Sequence, residues 1–184
     1  MYDYFPRVDG DLEFSHYSED DVRRLYPILR AMAGERMAFE RPGNTLQPTA
    51  LAHEAWLRMR SSGDQSWKNT SHFFTAAAET MRRILIDRAR RRKRPKHAGD
   101  LERVSMADAE NEANDEDEPT LQVNAALEKL KKVNPPRAQV VLLKFFGGLT
   151  NQEVAEEMGV TERTVERYWA YSKTWLYREI RGQR

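Results

Sequence analysis

Four consecutive carboxylates, Asp115 to Glu118, are the densest set of potential metal ligands or acid–base groups in the chain. A nuclease would need them fixed around Mg²⁺ beside a substrate phosphate. They lie instead in ADAENEANDEDEP, where almost no large apolar residue is present to hold them. Cysteine is absent, which removes disulfides, thiolate zinc sites and cysteine nucleophiles. No Gly-rich phosphate loop and no Ser/His/Asp or metal cluster with workable spacing is found. The expectation is therefore no enzyme, no cofactor and no metal. What remains is charge. RRILIDRARRRKRPK (82–96) has nine cationic side chains against one carboxylate, Asp87, in a chain whose formal net charge is only +1. A second set, Arg163, Thr164, Arg167 and Lys173, is interleaved with Glu162 and Glu166. Such residues bind phosphates, and arginine reads guanine edges bidentately. A solvated helix face would account for either set alone, so the elements that carry them decide.

The basic run is not a free tail. Phe73, Phe74, Ala77, Met81, Ile84, Leu85 and Ala89 keep a helical period through it, anchoring one face in a core. Arg82, Arg83, Ile86, Arg90 and Lys93 are then expected to point away from that face, and Pro95 ends the helix. Two helices precede it. The first starts at Ser18 as cap and carries Leu25, Leu29, Met32 and Arg36 on one face, with a kink or restart expected at Pro27. The second, capped by Thr49, has Leu51, Ala52, Ala55, Trp56 and Met59 as its apolar stripe and the i,i+4 pair Glu54–Arg58 opposite. Residues 1–17 read as a weakly ordered extension. Residues 61–69 form a loop that holds an aromatic residue, Trp67.

The acidic composition over residues 96–118 reads as a flexible linker. Pro119 and Thr120 are expected to open the next helix, with Leu121, Ala125, Leu127 and Leu130 buried, and Pro135-Pro136 restart the chain. Val140, Val141, Leu143 and Phe146 pack that segment, and Gly147-Gly148 ends it. Thr150-Asn-Gln-Glu153 is a capping box opening a short helix. Gly159 makes the turn, and Thr161 caps a longer helix whose first turns are polar. This is a helix-turn-helix pattern. The fold class is all-α: two small helical domains, 18–95 and 119–184, joined by the acidic linker 96–118.

Three segments in this order resemble extracytoplasmic-function (ECF) sigma factors of bacterial RNA polymerase. LQPTALAHEAWLRM is similar to the part that binds the β′ clamp helices. SWKNTSHFFTAAAETMRRILIDRARRRKR is similar to the part that recognises and melts the −10 element, and GGLTNQEVAEEMGVTERTVERYW to the part that reads the −35 element. The resemblance implies polymerase docking through His53, Glu54, Trp56 and Arg58. It implies −10 contacts from Ser66, Trp67, Lys68, Asn69, Arg82, Arg83, Arg90 and Arg91. It implies −35 contacts from Arg163, Thr164, Arg167 and Lys173. The implied partners are core RNA polymerase (β′ clamp helices and β flap) and promoter DNA, with an anti-sigma factor controlling many members. Ala50 stands where many members are acidic, and Thr70 where close members have arginine.

The N-terminus lacks the basic and apolar regions of a signal peptide, and no run approaches the ~20 apolar residues of a membrane span. A cytoplasmic protein without membrane contact is expected, in keeping with a mean hydropathy of −0.81. The competing functions are a stand-alone helix-turn-helix regulator that binds duplex DNA without polymerase, and a recombinase or nuclease with a helix-turn-helix tail.

Overall fold

The computed structural model describes residues 19–38, 46–61, 70–93 and 106–182; of helix residues 19–22, 70–71 and 106–118 the backbone alone is described. Among them are seven α-helices and no strand: α1 Glu19–Ala38, α2 Pro48–Ser61, α3 Thr70–Lys93, α4 Met106–Val133, α5 Pro135–Val141, α6 Asn151–Met158 and α7 Glu162–Arg181. A π-helical turn, Leu142–Phe146, continues α5. The expected extension 1–17, the cap Ser18 and the residues Ser66, Trp67, Lys68 and Asn69 lie outside the described residues.

Helix α1 runs through Pro27 as one element, without the expected restart. Pro27 is exposed, so its ring lies on the water-facing side of the helix. Helix α2 begins at Pro48, not after Thr49; Pro48 suits the first turn, and the Gln47 carbonyl accepts from the amides of Ala50 (3.0 Å) and Leu51 (3.1 Å). Its stripe is the expected one: Leu51, Ala52, Ala55, Trp56 and Met59 are all buried.

Helix α4 reaches back to Met106, so residues 106–118, expected as linker, are helical, and Pro119 lies inside the helix it was expected to start. The segment is rich in alanine and glutamate, good helix formers, and it extends a helix whose later turns are packed. Those turns bury Ala126, Leu127 and Leu130, while Leu121 is half-buried and Ala125 exposed. Asn134 caps α5, accepting from the Arg137 amide at 3.2 Å, and prolines fill the first turn.

One continuous buried cluster joins both helical units: Leu25, Leu29, Met32, Phe73 and Met81 from the first, Leu127, Leu130, Leu143 and Phe146 from the second. Phe73 and Phe146 are wholly buried, each contributing about 1.5–3 kcal/mol. Helix α3 is central, packing on α2 along one side and on α4 and the π turn along the other. Its outer face is thus covered in part. Ile86, expected to point outward, is buried, and Ala78 joins it.

Candidate nucleic-acid and polymerase interface

The helix-turn-helix is built by local chemistry. The Thr150 hydroxyl accepts from the Glu153 amide (3.2 Å), and the Glu153 carboxylate accepts from the Thr150 amide (2.7 Å), a complete capping box. Burial pushes the Glu153 carboxyl above its ordinary value, and the Thr150 hydrogen bonds only partly offset it. At the other end of α6, Gly159 has φ +63°, the Gly159 amide donates to Glu156 and the Val160 amide to Ala155. This Schellman ending satisfies the last carbonyls and turns the chain within three residues. Thr161 then caps α7, its hydroxyl accepting from the Thr164 amide at 3.3 Å.

Val165, Ser172 and Leu176 anchor α7 inward. Arg137 of α5 steadies it: the guanidinium lies 3.7 Å over the Tyr171 ring, and its carbonyl accepts from the Ser172 hydroxyl at 3.4 Å. Outward, Arg163, Arg167 and Lys173 are exposed. Thr164 is half-buried and its hydroxyl lies 3.0 Å from that of Thr161, so the cap uses part of its bonding capacity. Arg163, Arg167, Ala170, Thr174, Tyr177 and Arg181 recur at helical spacing and are all exposed, one stripe along the helix. The continuation through Tyr177 and Arg181, with the guanidinium 4.4 Å over the ring, was missed in the sequence, although the spacing could have revealed it.

Lys144, in the π turn, faces this helix-turn-helix. Burial pushes its pKa below the ordinary lysine value, Lys173 adds to that, and Glu153 and Glu162 oppose it. Its ammonium donates to the Leu149 carbonyl at 3.3 Å.

The docking candidates on α2 divide. His53 is exposed. Trp56 is only 4% exposed and meets Tyr26 edge-on with ring centroids 6.3 Å apart, so it belongs to the core. Arg58 bonds Glu54 (2.7 Å) and Asp87 of α3 (3.0 Å), tying the two helices together. The single carboxylate of the basic run is thus used in that tie. Leu57, not singled out in the sequence, is 51% exposed beside His53 on one face of α2.

On α3 the arginines separate in the same way. Arg83, Arg90 and Arg91 are exposed. Arg82 is turned toward α4: it bonds Glu79 (2.8 Å), Asn124 (2.6 Å) and Glu128 (2.7 Å) with its side chain 12% exposed. Lys131 reaches the same Glu79 at 2.6 Å. Burial raises the Glu79 carboxyl, but Lys131 and Arg82 outweigh it and leave the group below its ordinary value.

The ECF sigma factor family model matches residues 9–182, nearly the whole chain. The chain belongs to the ECF sigma factor family. No curated protein and no solved structure matches it. Membership makes this sigma factor a component of transcription initiation, with RNA polymerase and promoter DNA as its partners; the family is one of non-enzymatic transcription factors. The all-helical fold and the helix-turn-helix agree with that assignment. No described helix is long and apolar enough to cross a membrane.

Proposed function

We propose that this sigma factor docks on core polymerase through the exposed face of α2, opens the −10 element with α3 and the residues just before it, and reads the −35 element with α7. The observation that carries the reading is the α6–Gly159–α7 unit. Its capping box, Schellman turn and capped second helix give a rigid support, with Arg163 and Arg167 exposed on the first turns of α7. Docking then rests on His53 and Leu57 more than on Trp56 or Arg58, which are engaged inside the protein. Arg83, Arg90 and Arg91 serve as phosphate contacts along the promoter, with Arg82 available only if it leaves Glu79 and Glu128.

Melting needs no nucleotide hydrolysis in this scheme. Unstacked bases are bound by Ser66, Trp67, Lys68 and Asn69, and that binding together with polymerase contacts supplies the free energy. Glu162 and Glu166 repel phosphate, which keeps the helix-turn-helix weak on its own and makes recognition depend on polymerase. An anti-sigma factor would fit the same scheme by covering either exposed face.

The test is reconstitution with core RNA polymerase, selection of bound promoters and runoff transcription. Sequence-specific binding and transcription only in the presence of core enzyme are expected. Tight specific binding by the isolated chain, with no transcription on adding core enzyme, would instead support the stand-alone regulator.

A further inference from the structure

The first turns of α7 bring no net charge to a DNA backbone, because Arg163 and Arg167 are balanced by Glu162 and Glu166. Attraction to phosphate must come from beside them. Counted from Arg163 at ~100° per residue, Glu162, Glu166 and Lys173 lie roughly 60–100° round one side of the helix, and Tyr171 and Arg178 roughly 60–80° round the other. Both Tyr171 and Arg178 are exposed. No carboxylate of α7 shares their flank; Glu179, farther round, is paired with Lys129.

Arg137 of α5 comes up against this second flank. Its guanidinium lies 3.7 Å from the centroid of the Tyr171 ring and 5.7 Å from that of Tyr168. Its backbone is fixed at both ends: the amide donates to the Asn134 side chain at 3.2 Å, and the carbonyl accepts from the Ser172 hydroxyl at 3.4 Å. The charge, however, is not answered. Half-buried Arg58 and Arg82 each meet two carboxylates. Among the described residues Arg137 meets none, and its buried Nε has no acceptor. Rings alone do not satisfy those donors, and an unpaired buried donor is costly. Stacking uses the faces of the guanidinium and leaves the in-plane N–H groups of its fork to bond an anion.

We propose that Arg137, with Tyr171 as its platform and Arg178 two turns farther along, grips the phosphates of one DNA strand beside the −35 element. The proposal rests on the functional reading above, in which α7 lies in the major groove. The strand on the side away from Glu162 and Glu166 then passes along this flank. The site takes a phosphodiester and not a base edge, since Arg137 stands on α5, behind the helix that enters the groove. Such a contact carries no sequence information and fixes orientation instead. The rings hold the guanidinium in place beforehand, so little side-chain freedom is lost on contact. Arg137 is thus a positioning residue: it sets the register of α7 in the groove, where Arg163 and Arg167 read the bases.

The test uses holoenzyme and promoter duplexes in which single phosphates across the −35 element are replaced by uncharged methylphosphonates. The parent should lose about ten-fold in affinity at one or two phosphates of one strand. Arg137→Gln should lose about ten-fold on the unmodified duplex and then be indifferent to that same methylphosphonate. Its logarithmic dependence of affinity on salt should be shallower by about 0.9, the share of one phosphate. Its preference among −35 sequences and its affinity for core polymerase should stay as in the parent. Arg178→Gln, at an exposed position, should act alike at a neighbouring phosphate, and does so even where Arg137→Gln folds poorly. If both variants keep the parental salt slope and methylphosphonate profile, the proposal is overturned and Arg137 only braces α7. A loss of affinity for core polymerase in place of the promoter effect would overturn it too. The same salt titration on the free chain, with duplex of arbitrary sequence, reads the contact without polymerase. A shallower slope there, with no promoter-specific binding by the holoenzyme, would sink the sigma-factor reading and leave the phosphate site standing.

Discussion

Two glycines that share a positive φ but differ in surroundings isolate the interface between the units. Gly148 has φ +72° and Gly159 has φ +63°, yet a Cβ at Gly159 would meet nothing within 4 Å. Gly159→Ala therefore reports left-handed strain alone, about 1–2 kcal/mol, lessened by the ~0.4–1 kcal/mol gained from a stiffer unfolded chain. Gly148→Ala carries the same strain and adds an overlap with the Met32 carbonyl at 2.9 Å and the Arg36 amide nitrogen at 3.0 Å. Those are backbone atoms and cannot swing aside, so an overpacking penalty of about 1–3 kcal/mol is added. The expected losses are about 1 kcal/mol for Gly159→Ala and about 2–4 kcal/mol for Gly148→Ala. Urea denaturation followed by far-ultraviolet circular dichroism measures both, and each kcal/mol corresponds to ~2–4 °C in Tm for a chain of this size. Equal losses would refute the close approach of Gly148 to α1.

Further outcomes are expected elsewhere. Arg163→Ala should weaken promoter binding by holoenzyme by about 1–3 kcal/mol at particular −35 positions; uniform weakening across promoter variants would make it a phosphate contact. Leu57→Ser should lower affinity for core polymerase, measured by fluorescence anisotropy, with little change in Tm because the side chain is already exposed. Glu79 has a folded pKa below its ordinary 4.5, so its stabilising contribution is full above that value and is lost as pH falls through the folded pKa. Glu153, shifted upward, acts in the opposite sense near the same pH. Comparing the acid limb of stability in Glu79→Gln with the parent isolates the first effect: the variant should lose stability at pH 7 and show a shallower acid limb.

The parts of the fold that depend on neighbours in sequence were legible in it. The stripe of α2, the Thr150–Glu153 box, the Gly159 turn and the Thr161 cap follow from spacing and side-chain chemistry within a few residues. What was not legible depended on which helix packs where. Arg82 and Ile86 sit on the face of α3 opposite its apolar stripe, and a single helix gives no sign that α4 will cover that face. Gly148 has the signature of a helix-ending glycine and no mark of its approach to α1. Arg36 closes an apolar row as an arginine, and its burial is met by the Phe145 ring and the Thr120 hydroxyl of the other unit. For the candidate site, the exposed set on the first turns of α7 was readable. The division between exposed and engaged arginines on α2 and α3 was not, because Asp87, Glu79 and Glu128 choose their partners in three dimensions.

The π-helical turn has a bearing on aim. The Gly147 amide donates to the Leu142 carbonyl, five residues back, so the turn holds one residue more than an α-helical turn. Each residue of an α-helix advances ~100° about the axis. Deleting one residue between 142 and 146 would restore the regular period and rotate everything after it by about that angle. Phe145 would leave Arg36, and the helix-turn-helix would emerge on another bearing. A single surplus residue thus serves as the indexing mark between the core and the helix-turn-helix. A one-residue deletion there should leave each helix able to form while misdirecting α7.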